Sequence, residues 1–371
     1  MTTRHERATT ATPRPGATGR VEFDELTRRL LDVMQEEFPL VERPYEALGA
    51  RVGLGEEDAL ARIREARDAH VIRQICAIYD TKALGYSSAL VAMKVPEEGL
   101  DRAAAIVNAH PGVSHNYRRS HEFNMWFTVA MPPDRDLDAV IWRLHELAGA
   151  ESTRPMPTLR LFKIEVNLDM SGQRTLTERG EPAYSEEHRR AAAREALTAE
   201  DVDYIRATQS DLRDVARPFD EVAETLGWPL ERVFAHAAEL KRRGFMRRYA
   251  AILNHRAAGF RANGMAVWRV PEERIEEFGL FVAGYRNVTH CYQRPTYPDW
   301  PYNVFSMLHH PKVAGVEETA QAISRETGVE EYRVLYSTTE FKKVRLPYFV
   351  PEYDRWEELC EAAARTRGLP S

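Results

Sequence analysis

The sequence predicts an α+β protein built as a tandem repeat, each copy being a helical unit followed by a unit of alternating strands and helices. Three observations carry this. First, the chain repeats itself. Arg43-Pro44-Tyr45-Glu46 answers to Arg217-Pro218-Phe219-Asp220, and Gly85 to Gly259, at a spacing of 174; Val95-Pro96-Glu97-Glu98 answers to Val270-Pro271-Glu272-Glu273, and His115 to His290, at 175. Second, the first part of each copy places apolar residues at helical spacing between turn signals. Third, the second part alternates period-two segments with helical ones. Two diverged copies in one chain form an intramolecular pseudo-dimer whose shared site need not be symmetric.

Residues 1–20, MTTRHERATTATPRPGATGR, are poor in large apolar groups and read as a disordered tail. The first helix-turn-helix domain, 21–70, has helices over Phe23–Glu37, Tyr45–Val52 and Glu56–Ala69. In its counterpart, 198–246, Thr198 and Asp201 make a capping-box start. There Phe219–Leu226 and Leu230–Arg243 are helices divided by Gly227-Trp228-Pro229, and Gly244 is the stop. The first alternating domain, 71–166, carries strands at 70–79, 86–95, within 113–129 and at 159–166, with helices at 97–109 and 137–147. The second, 247–345, repeats this with strands at 247–254, 264–270, within 288–308 and at 332–341, and helices at 272–283 and 315–327. Two β-α-β units of this kind make a ferredoxin-like βαββαβ domain. One face of its sheet needs a cover that the other half supplies. Residues 167–197 are a linker and 346–371 a C-terminal extension ending in a helix.

Composition excludes several classes. The chain has 371 residues, 43% hydrophobic and 29% charged, which is globular. No run approaches the roughly 18 apolar residues of a membrane span, and no apolar signal core opens the sequence. Cys76, Cys291 and Cys360 neither pair evenly nor show zinc spacing, so reduced thiols in the cytoplasm are expected. The net charge of −6 and the acidic start of the first recognition helix, Glu56-Glu57-Asp58, argue against DNA as a partner. The second recognition helix is basic only at Lys241-Arg242-Arg243.

Chemistry concentrates in two stretches. Residues 113–120, VSHNYRRS, and 288–295, VTHCYQRP, keep His115/His290, Tyr117/Tyr292 and Arg119/Arg294 in register on a strand and its following loop, where sites are commonly built. His121 belongs to the first copy alone. Arg118, Arg119, Arg294, Arg73, Arg247 and Arg248 are cations on or beside strands, and Trp126, Phe127, Tyr297 and Trp300 supply aromatic surface. His110 reads as a helix-end residue. His309-His310 lacks a third metal ligand at recognisable spacing.

A helix-turn-helix followed by a ferredoxin-like domain resembles the Lrp/AsnC regulators, and CAIYDTKALGYSSALVAMKV is similar to the segment opening their effector domain. More specifically, GVSHNYRRSHEFNMWFTV and NVTHCYQRPTYPDWPYNVFSM resemble the siroheme decarboxylases, with the tandem arrangement of their fused D-L form. That resemblance covers nearly all of residues 21–345. It implies loss of CO2 from the C12 and C18 acetates of siroheme to give 12,18-didecarboxysiroheme, in haem d1 synthesis or an alternative haem route. The competing reading is an Lrp/AsnC-like ligand- or haem-sensing transcription regulator.

The residues suit the enzymatic task. A macrocycle carrying eight carboxylates requires many cations, and Arg grips carboxylate bidentately; Arg73, Arg118, Arg119, Arg247, Arg248 and Arg294 are the expected substrate-binding cations, with Trp126 and Trp300 flanking the ring. His115, His290 and His121 are the expected acids and bases, and Tyr117 and Tyr292 either relay protons or bind a carboxylate. His115 and His290 suit two similar decarboxylations, or one catalyst and one axial contact to the substrate iron. No further cofactor is expected, since the ring system can accept the electrons. Companion decarboxylase subunits and a homodimer both stay open as partners.

Overall fold

The computed structural model describes residues 23–164, 196–254, 262–310 and 312–367; the tail at 1–20 and the linker up to residue 195 lie outside the described residues. In the first half, α1 (Glu25–Glu36) starts on Asp24, whose carboxylate accepts the Thr27 amide at 2.8 Å. α2 (Pro44–Val52) starts on proline and stops at Gly53 with φ 81°, a left-handed position that suits glycine. There follow α3 (Glu56–Asp68), β1 (Ile72–Tyr79), β2 (Ser87–Lys94), α4 (Leu100–Ala109), β3 (Val113–Arg119), β4 (Met125–Met131), α5 (Leu137–Ala148), β5 (Ser152–Pro157) and β6 (Arg160–Ile164).

The second half repeats this order with α6 (Ala199–Thr208), α7 (Asp220–Leu226), α8 (Leu230–Arg242), β7 (Met246–Leu253), β8 (Ala262–Trp268), α9 (Ile275–Ala283), β9 (Val288–Gln293), β10 (Val304–His310), α10 (Val313–Thr327) and β11 (Tyr332–Lys343). α6 carries the expected capping box: the Thr198 hydroxyl accepts the Asp201 amide at 3.2 Å, and the Asp201 carboxylate accepts the Thr198 amide at 2.8 Å.

Two features differ from the sequence expectation. β1 and β7, expected to open the two sheets, instead pair with each other as an antiparallel ribbon, Cys76 opposite Ala250. Ile75, Cys76 and Ala77, like Tyr249, Ala250 and Ala251, are buried in succession. Such runs need cover on both faces, which the ribbon finds against α1, α3 and α8. β5 was not foreseen, because its sequence STRPMP carries two prolines; it is tolerated as a strand that pairs on one side, with β2.

The remaining nine strands run in the order β5-β2-β4-β3-β11-β8-β10-β9-β6. β11 spans the halves, pairing through Tyr332–Tyr336 with β8 and through Ser337–Lys343 with β3. β5 and β6 reciprocate: β5 pairs with β2, and β6, two residues later, crosses to β9. The order therefore closes on itself through residues 158 and 159, and each half borrows a strand from the other. The face left bare in each half is covered by the other, as expected. Phe123, Trp126 and Met156 pack there against Met265, Val267, Trp300, Phe305 and Leu335, and each large side chain so removed from water contributes about 2–3 kcal/mol. α11 (Glu352–Arg367) returns to the first half, where Trp356 meets the His110 ring at 4.4 Å between centroids and Arg135 pairs with Asp354 and Glu357.

Candidate active site

A cavity of about 650 Å3 lies between the two strand layers, walled by β2–β4, by β8–β10, by Arg73-Gln74 and Ile252-Leu253 of the β1–β7 ribbon, and by the end of β11 with residues 344–346. Strand alternation selects what faces it. On β3, His115, Tyr117 and Arg119 line the cavity, whereas Asn116 turns to the helices and donates to Asn108 Oδ1 at 3.0 Å. On β9, and just beyond it, His290, Tyr292 and Arg294 line the facing wall, while Cys291 points at the Gly279 carbonyl. The two His-x-Tyr-x-Arg strands thus present the same chemistry from opposite sides.

Each histidine is held from behind. Ser114 Oγ lies 3.0 Å from His115 Nδ1, and Thr289 Oγ1 lies 2.8 Å from His290 Nδ1. Burial, with the charges of Lys343 and Arg73 nearby, pushes His115 down to about 4, so at neutral pH its ring is uncharged. Arg119 and Arg294 are buried, and desolvation lowers both to about 10. Arg294 sits over the Tyr292 ring at 4.9 Å and Arg119 near Tyr117 at 5.8 Å.

The charge balance of the lining is one-sided. Arg73, Arg119, Arg294, Lys343 and Arg345 face the cavity, and among the described residues no Asp or Glu does. Trp126 lines it too, its indole N–H satisfied by the Phe123 carbonyl at 2.6 Å.

Several expected site residues lie elsewhere. Arg118 alternates to the outer surface and pairs with Glu97. His121, with Arg118, lines an outer depression of about 550 Å3 that also holds Lys94, Glu97 and Glu151 and shares Arg119 with the cavity. Its Nδ1 accepts the Phe123 amide at 3.1 Å and its ring meets the edge of Trp300. Trp300 is fully buried behind the cavity wall, 5.1 Å from Trp126. Arg247 is turned away to Asp80 at 2.9 Å, and neither it nor Arg248 is among the lining residues. Both arginines were expected at the sheet's opening strand, and the β1–β7 ribbon carries them off it.

Sequence reasoning passed over Lys343, Arg345 and His309, all in the cavity wall. The run FKKVRLP at 341–347 was a legible basic signal at the end of the last strand. His309, considered only as a metal ligand, instead faces Thr289 at 2.9 Å; among the described residues no group of three or more metal-ligating side chains occurs.

Comparison with known proteins agrees with this architecture. A family model described as the siroheme decarboxylase NirDL-like HTH domain matches residues 27–73 and 201–247, and one for the AsnC-like ligand binding domain matches 83–163 and 257–342. A siroheme decarboxylase of Hydrogenobacter thermophilus is 40% identical over 344 residues, covering 92% of this chain and 99% of that protein. The alpha subunit of a siroheme decarboxylase from Desulfovibrio desulfuricans is 38% identical and matches 46% of this chain with 98% of its own length. The crystal structure of the siroheme decarboxylase NirDL in co-complex with an iron-uroporphyrin III analogue superposes with a TM-score of 0.71 at 35% identity, covering 91% of this chain and 99% of that one.

Proposed function

This chain belongs to the siroheme decarboxylase family of carboxy-lyases, and from that premise we propose that it removes the C12 and C18 acetate carboxylates of siroheme as CO2, yielding 12,18-didecarboxysiroheme. The observation that carries the proposal is the cavity between the halves: five cations, no acid among the described lining residues, and a histidine on each of two facing strands. A flat polyanion on the scale of a tetrapyrrole matches that lining.

In this reading Arg73, Arg119, Arg294, Lys343 and Arg345 hold the carboxylates that are not lost, while Trp126 and the tyrosines flank the ring. Protonation of the pyrrole carbon next to an acetate makes the ring an electron sink. The C–C bond to the carboxyl then breaks and CO2 leaves. The methylene takes up a proton to become a methyl group, and the pyrrole carbon gives its own proton back, so each decarboxylation consumes one proton. His115 and His290 are the proton donors, one for each acetate. The sink is the macrocycle itself, so the proposal requires no added organic cofactor.

The helix-turn-helix units fit a structural role. α3 presents Glu56, Glu57 and Asp58 in its first turn, and the basic end of α8 is engaged internally, Lys241 with Glu37, Arg242 with Glu239 and Arg243 with Asp201. Because one chain supplies both cavity walls, a homodimer or companion subunits would add to the site without completing it; light scattering counts them. No helix among the described residues is long and apolar enough to cross a membrane, and a cytoplasmic location is part of the proposal. The route served, haem d1 or alternative haem synthesis, depends on what consumes the product. Anaerobic incubation with siroheme followed by mass spectrometry is the test: a product lighter by two CO2 is expected, and bound but unchanged siroheme overturns the proposal.

A further inference from the structure

The two histidines are not equally connected. Thr289 Oγ1 lies 2.8 Å from His290 Nδ1 and 2.9 Å from His309 Nε2, so three side chains form one hydrogen-bonded chain ending at the cavity. The first half has only the inner part of it. Ser114 stands where Thr289 stands and touches His115 Nδ1, but the counterpart of His309 is Ala130. Strand register fixes that equivalence, because Ala130 lies opposite Ser88 and His309 opposite Asn263, its counterpart 175 residues later. The strand on the other side differs too: Lys343 lies opposite His115, Ile164 opposite His290.

We propose that His309 is a positioning residue for His290, acting through Thr289, so that one of the two decarboxylations depends on a three-residue proton relay which the other lacks. The inference rests on the siroheme reading above. A hydroxyl has one proton, so Thr289 donates to one imidazole and accepts from the other. When His309 Nε2–H donates to Thr289, the Thr289 hydroxyl donates to His290 Nδ1, and His290 carries its own hydrogen on Nε2. That tautomer is the proton donor needed after CO2 leaves. The proton passed from Nε2 to the product methyl carbon is replaced at Nδ1 by the Thr289 hydroxyl proton. His309 Nε2 reprotonates the hydroxyl, and half-buried His309 takes its proton from water; one proton enters for each CO2 released. At His115 the chain stops at Ser114, and that half must draw its proton through Ser114 or from substrate and solvent directly.

The test uses the full chain with siroheme under anaerobic single turnover, following siroheme, the monodecarboxylated species and the final product by mass spectrometry. His309→Ala and the isosteric Thr289→Val are each expected to slow one decarboxylation at least about tenfold and leave the other near its wild-type rate. The peak fraction of monodecarboxylated species then rises if the His290 side acts second and falls if it acts first. Thr289→Ser restores the wild-type pattern. A purely structural loss slows both steps alike and leaves that fraction unchanged; this result, or wild-type kinetics in both variants, overturns the relay alone. Wild-type protein that binds siroheme without converting it overturns the reaction and the relay together.

Discussion

Arg119 and Arg294 hold each other's halves: Arg119 on β3 donates to the Leu335 carbonyl on β11 at 2.8 Å, and Arg294 after β9 donates to the Met156 carbonyl on β5. Both guanidinium groups are buried, neither has an acidic partner among the described residues, and the Nε of each is unpartnered there. A buried charge without a counter-charge costs several kcal/mol, and under the proposed function a bound carboxylate offsets that cost.

The first prediction follows from that cost. Arg119→Met and Arg294→Met remove a desolvated charge while keeping most of the side-chain volume. The ligand-free variants are expected to melt no lower than wild type, and siroheme affinity to fall at least about tenfold, near 1.4 kcal/mol, for each. Arg→Lys at either site is expected to lose affinity as well, because an ammonium cannot reproduce the two-pronged grip. Differential scanning fluorimetry and an absorbance titration with siroheme measure the two effects. Variants that melt lower and bind as wild type would show the arginines to be purely structural.

How far the sequence revealed this site depends on the element. His115, Tyr117 and Arg119 could be paired with His290, Tyr292 and Arg294 because the repeat preserves their period-two spacing, and that spacing alone puts them on one face. Arg118 shares the cluster but not the parity, and the strand turns it outward to Glu97. Arg247 and Arg248 were misplaced because β1 and β7 have the apolar runs of sheet strands, and nothing local says that they pair with each other across 167 to 181 residues. Long-range strand exchange hid the rest. Lys343 and Arg345 reach the first half's cavity wall only because β11 runs on from its own sheet into its neighbour.

The second prediction concerns pH. His115 titrates near 4 in the fold, below the ordinary value of 6.5. The unfolded chain therefore binds a proton that the folded protein refuses between those values. Its contribution is fully present above about pH 6.5 and is lost as pH falls toward 4, by about 2 kcal/mol between pH 7 and pH 5. His115→Gln removes this term. The loss of denaturation free energy from pH 7 to pH 5 should be smaller in the variant by about that amount, read from urea titrations at the two values. Equal losses in the two proteins would refute the assignment.

A third prediction isolates the charge opposite that histidine. Lys343 and Arg73 both act to lower His115, with burial the larger cause. Lys343→Met, which approximates the Ile164 found opposite His290, should move the His115 titration upward by part of its depression, as followed by NMR of the imidazole protons. The same variant is expected to weaken siroheme binding about tenfold through loss of one carboxylate contact. An unchanged titration would mean that desolvation alone sets the value.

The last prediction tests whether the halves depend on their exchanged strands. β6 lies on the far edge of the second half's strands, and its Phe162 is buried in that half's core beneath α9. Gly279 on α9 leaves the room: a Cβ there would come within 2.4 Å of the Phe162 ring. Gly279→Ala should therefore force the ring or the helix aside and cost about 1–3 kcal/mol as overpacking, despite the better helix propensity of alanine. Phe162→Ala should cost about 3–5 kcal/mol by leaving a cavity. Because the two side chains compete for one space, the costs are non-additive, and Gly279→Ala in the Phe162→Ala background should be neutral or stabilising. A double-mutant cycle by chemical denaturation reads this directly. β6 also brings Ile164 opposite His290, so Phe162→Ala should weaken siroheme binding along with stability, whereas a second half able to keep its cavity wall without the borrowed strand would bind normally in the folded fraction.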